Sequence, residues 1–158
     1  MNESTVRIGA ERLLVVLAVL FLPITFLDWH EGSVAVGGVV DVHGHSMAWN
    51  GWGAIAGVAV VGLLILEWDR YLDGQIARKI RAEVVAAALS LAIFVFTLVE
   101  FFAGSASLQV GSLVQVDVVR LWPAYVGLGL AVLIGIAGIA QLGPPRERRR
   151  GRLRPRMP

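Results

Sequence analysis

Residues 84–103 read VVAAALSLAIFVFTLVEFFA and carry one charged side chain, Glu100. As a helix rising about 1.5 Å per residue, this stretch is about 30 Å long, the thickness of a bilayer's hydrocarbon core. Three further stretches have the same character. One runs unbroken from Leu13 to Leu27 and is extended back to Ile8, with Glu11 and Arg12 snorkelling to the interface. Another runs from Ala48 to Leu66. The last runs from Leu121 to Leu142 and stops at Gly143-Pro144-Pro145, which no helix continues through. The reading is an all-α membrane protein, a bundle of four transmembrane helices at about 8–27, 48–66, 84–103 and 121–142. These form one domain over residues 1–145, followed by a basic, disordered cytoplasmic tail over 146–158.

Composition agrees with this reading. Of 158 residues, 56% are hydrophobic and 16% charged, and the mean hydropathy is +0.71, far from the profile of a soluble domain. The chain has no cysteine, which excludes disulfides, thiolate metal sites and thiol nucleophiles. A cleaved signal peptide competes for the first span, but Asp28, Trp29, His30 and Glu31 make a charged approach to the nearest small-residue site at Ser33–Ala35.

Every basic residue except Arg120 lies before the apolar run that starts at Leu13, between the second and third spans, or after the fourth. Cytoplasmic segments retain lysine and arginine, so both termini are placed inside a plasma membrane crossed several times. Trp29, Trp49, Trp52, Trp122 and Tyr125 then fall at the outer interface, which suits amphipathic rings.

The two outer loops read as hairpins: valine-rich runs flank Gly37-Gly38 in the first and Gly111-Ser112 in the second. Together they are expected to form a small extracellular β-cap. Each half has an acid near the end of one span (Asp28, Glu100). Each also has an aromatic pair opening the next, Trp49 with Trp52 and Trp122 with Tyr125, so the plan reads as a tandem repeat. Gly53 and Gly57, and Gly127, Ala131 and Gly135, recur at spacing four and are expected to pack helix on helix.

Leu27-Asp28-Trp29 and Trp49-Asn50-Gly51-Trp52-Gly53 resemble small four-span membrane proteins of actinobacteria, a group that supplies a layout and no activity. The plan is also similar to claudin-type tetraspans, without their paired loop cysteines.

Asp41, His43 and His45 alternate, so a strand would project all three from one face toward a divalent metal, with Asp28, His30 or Glu31 as a fourth ligand. Glu100, at the hydrocarbon edge, needs a partner, and the lone outer cation Arg120 is expected to form an ion pair with it. The arginine-rich tail reads as an anionic-lipid contact rather than a nucleic-acid site. No phosphate loop, dinucleotide fingerprint or catalytic triad spacing occurs, so an enzyme is not expected. The leading expectation is a non-catalytic scaffold or accessory subunit of a cell-envelope complex, meeting a protein partner or a copy of itself. The competing one is a small transporter, or an extracellular metal or ion sensor using the loop histidines or Glu100.

Overall fold

A computed structural model describes residues 3–36, 40–72, 74–75, 80–103, 108–110 and 114–142. The tail over 146–158 and the turn residues Gly37, Gly38, Gly111 and Ser112 lie outside the described residues. Helix α1 (Glu3–Ile24) ends one residue past Pro23 and turns through Thr25–Leu27 into strand β1 (Asp28–Val36). Strand β2 (Val40–Met47) leads through a 3₁₀ turn at Ala48–Asn50 into α2 (Gly53–Tyr71). Helix α3 is Ala82–Ala103, followed by β3 (Leu108–Val110), β4 (Val114–Arg120) and α4 (Trp122–Ala140). Pro123 stands at the second position of α4, where its missing N–H costs no intrahelical bond.

Helix α1 packs against α2 and α4, and α3 packs against the same two. Their shared core includes Leu14, Phe21, Val60, Leu63, Ile93 and Ile134, all fully buried. The strands form one antiparallel sheet in the order β2-β1-β4-β3. Beneath it, Trp29, Ala48, Phe101 and Ala124 make a second apolar cluster that seats the sheet on the helix ends.

The four-span bundle expected from the sequence is not supported, and with it falls the tetraspan layout. Two helices among the described residues are long and apolar enough to cross a membrane, α3 and α4. Any eighteen-residue stretch of α1 contains Arg7, Glu11 and Arg12, and any such stretch of α2 contains Glu67, Asp69 and Arg70. These charges are built into the fold. The Arg70 guanidinium meets Glu11 Oε1 at 2.7 Å and Glu67 Oε1 at 2.9 Å, and donates to Gln141 Oε1 at 3.4 Å. It thereby ties α1, α2 and the residue after α4 together at the end remote from the sheet. The outward faces of α3 and α4 carry exposed Leu91, Phe102, Leu133 and Ile136, an apolar surface that water does not favour.

Candidate functional site

The chemistry-bearing residues gather around the sheet, and a bulge in β1 decides how. Pairing with β2 shifts between Asp28 and His30, so the consecutive residues Trp29 and His30 are both buried toward the helices. The Trp29 indole donates to Ile24 O at 2.8 Å and lies over Gly127 of α4, whose missing side chain leaves room for the ring. In the same way Trp49 fills the space over Gly57, stacks on Phe26 at 5.2 Å and donates to Thr25 Oγ1 at 2.8 Å. Gly53 makes room for Ala48 of the 3₁₀ turn. Thus Gly53, Gly57 and Gly127, expected to meet a neighbouring helix, receive residues of the 3₁₀ turn and of β1. Ala131 is fully buried in the helix core, and Gly135 lies within ordinary contact range of Phe94 on α3.

Glu100 and Arg120 do not pair. Glu100 is buried beneath the sheet, where its Oε2 accepts from Gly53 N at 3.2 Å and its Oε1 lies 3.9 Å from His30 Nδ1. It therefore supplies an acceptor and a negative charge to the start of α2, whose own preceding residue Trp52 makes no side-chain cap. Gly51 leaves room for this carboxylate, since a methyl group at that position would force the end of the Glu100 side chain to shift. Arg120 faces His30 across the β1–β4 ladder, but its Nε donates to Phe101 O at 2.8 Å and its guanidinium lies 4.5 Å over the Phe101 ring. Ring and carbonyl satisfy the cation without a carboxylate.

Burial lowers the His30 imidazole below the ordinary histidine value of 6.5; Glu100 pulls it back up and Arg120 pushes it further down. Among the described residues its Nε2 has no hydrogen-bond partner, and neither has Thr97 Oγ1, one turn before Glu100 on α3.

Strand alternation separates the histidines, because His30 pairs with Ser46 while His45 and His43 pair with Glu31 and Ser33. His43 and His45 are exposed on the far face of the sheet, with His43 Nδ1 at 3.6 Å from Glu31 and His45 Nδ1 at 4.0 Å from Asp28. His30 is on the opposite face and cannot join them. Asp41 stands across from Ala35 in the ladder, its side chain outside the described residues. Among the described residues, no three histidine or acidic side chains come together as a metal ion requires. The bulge at Trp29 and the acceptor role of Glu100 were not anticipated. The sequence signal for the second was Trp49-Asn50-Gly51-Trp52-Gly53, two glycines at a helix start with no capping side chain of their own.

At the other end of the helices a cleft of about 510 Å³ opens between Arg70, Arg81, Glu83 and Leu142, its wall carrying both signs of charge. Comparison with known proteins returned no matching family, no similar curated protein and no matching solved structure.

Proposed function

We propose that this is a non-catalytic membrane protein that holds a small β-sheet in a fixed pose at the membrane surface, as a scaffold or accessory subunit of a cell-envelope complex. One observation carries the reading: the sheet is seated on the helix ends by buried side chains, while its far face stays open. Trp29 and Arg120 each reach from the sheet to a carbonyl on the helix side, Ile24 O and Phe101 O, and beneath them Glu100 joins α3 to the start of α2. Facing away, Asp117, Val119, His43 and His45 are exposed. Rigid seating of an open polar face serves recognition, because little ordering entropy remains to be lost on binding.

Helices α3 and α4 are the anchor, and their apolar outward faces support insertion. The basic residues at the end remote from the sheet support a plasma-membrane orientation with the sheet outside and the arginine-rich tail against anionic lipid. The partner is a protein or a second copy of the chain, not nucleic acid.

The test places a photo-crosslinking residue at Ser33 or His45 on the far face, and at Val132 on α4, in native membranes. A discrete protein adduct from the sheet positions, absent from Val132, is the expected result. A monomeric protein giving no adduct from any far-face position overturns the reading. Orientation is checked separately: Ser33→Cys should label with an impermeant thiol reagent in intact cells and Gln75→Cys should not, and the reverse pattern would invert the topology.

A further inference from the structure

We propose that His30 and Glu100 form a buried proton-binding site that couples acidity on the sheet side to the grip of α3 on the start of α2. The two side chains face each other at 3.9 Å, with only 5% and 8% of their surfaces exposed. That gap is too long for a hydrogen bond and short enough for a strong charge interaction. The imidazole is poised rather than committed, since its other nitrogen has no partner among the described residues. A buried polar atom left in this state calls for a specific reason. The carboxylate is already in use, holding the Gly53 N–H.

Surrounding charges are few. Arg120 comes from β4 and Glu100 from α3. The β2 residue paired with His30 is Ser46, which is neutral. The 3₁₀ turn and the first turn of α2 bring no ionisable side chain, and α4 brings Tyr125, which stacks edge-on against Phe101. On β1 itself Asp28 and Glu31 face His45 and His43.

When His30 takes a proton from solvent, a full positive charge appears opposite Glu100 Oε1. The carboxylate is drawn toward the imidazolium, where closure to about 2.8 Å makes a charge-assisted bond. The same displacement carries it away from Gly53 N, and α2 loses the acceptor that caps its first turn. Burial and Arg120 both oppose uptake, so the change falls below the ordinary histidine value of 6.5. The site is thus a proton-sensitive clasp between sheet and helices, and it operates whether or not the far face meets a partner.

The experiment uses the full chain in lipid nanodiscs, labelled with ¹⁵N-glycine and ¹⁵N-histidine. His43→Asn and His45→Asn leave His30 as the one imidazole, titrated across the histidine range from about pH 8 to about pH 5. The Gly53 amide should shift with the same midpoint as His30, below 6.5. With Glu100→Gln, the Gly53 shift should vanish while His30 still titrates, at lower pH because the pull of Glu100 is gone. With His30→Gln, which keeps a polar side chain, the Gly53 amide should stay flat throughout. A Gly53 amide that ignores the His30 titration, or that moves equally in His30→Gln, overturns the proposal.

Discussion

Gly127→Ala should destabilise the protein through a residue distant in sequence, Trp29. The added methyl would stand against the indole, 2.6 Å from Cη2 and closer still to Cζ2. The ring has no free direction: it is fully buried and its Nε1 is bonded to Ile24 O at 2.8 Å. Overpacking of a tight core costs about 1–3 kcal/mol. If the ring swings instead, the stranded indole N–H costs a similar amount, about 1–3 kcal/mol. Alanine returns about 1 kcal/mol of helix propensity over glycine. The net loss is about 0–2 kcal/mol, a fall in Tm of up to about 8 °C for a chain of this size. Thermal unfolding in detergent, followed by tryptophan fluorescence, measures it. Gly129→Ala is the control on the same helix, because a methyl there meets nothing within 4 Å, and its Tm should hold or rise. On a Trp29→Phe background, which shortens the ring, the Gly127→Ala penalty should shrink. Equal Tm values for Gly127→Ala and Gly129→Ala would refute the reasoning.

Arg70→Ala removes the cation shared by Glu11 and Glu67 and leaves Glu67 buried without it, at a cost of about 3–5 kcal/mol by denaturant unfolding. Adding Glu67→Gln should recover part of that loss. Folded His30 takes up a proton less readily than the unfolded chain, so stability should fall as pH drops through 6.5 toward its lowered value. His30→Gln should remove that part of the slope in a pH series of Tm. Arg120→Ala should cost about 1.5 kcal/mol through its lost bond to Phe101 O. In a double-mutant cycle with Glu100→Gln the coupling should stay under about 0.5 kcal/mol, since the two do not meet; a coupling well above that would restore the ion pair.

The helices and the valine-rich strands were legible because their signals are local. Residues 84–103 announce a helix by unbroken apolarity, and α3 begins only two residues earlier, at Ala82. Alternation marked β4, whose Val116 and Val118 flank Asp117. Spacing alone cannot say what fills a gap, which is why the Gly53, Gly57 and Gly127 pattern suggested helix contacts when indoles and a turn occupy them. Nor does a run of apolar residues count its own charges: α2 ends in Glu67, Asp69 and Arg70, which belong to the same helix as the apolar run before them. The partners of Glu100 were illegible for a different reason. Arg120 was the obvious cation, but a carboxylate also satisfies bare backbone N–H groups, and those belong to an element far away in sequence. One extra residue in β1 turned Trp29 to the same side as His30, and no composition rule foresees a bulge.

The pairing of β1 with β4 has a consequence for biogenesis. The hairpin β1–β2 leaves the ribosome early, and its inner edge must wait for a strand made after α3. Until β4 arrives, β1 presents a row of unpaired backbone groups, the kind of edge that recruits foreign strands. Trp29 waits as well, since Gly127 belongs to the last helix. The sheet is therefore a late-closing structure, completed only when β4 and α4 are in place. A truncated chain lacking β4 and α4 would expose both the edge and the indole, and such a fragment is a natural target for quality-control proteases.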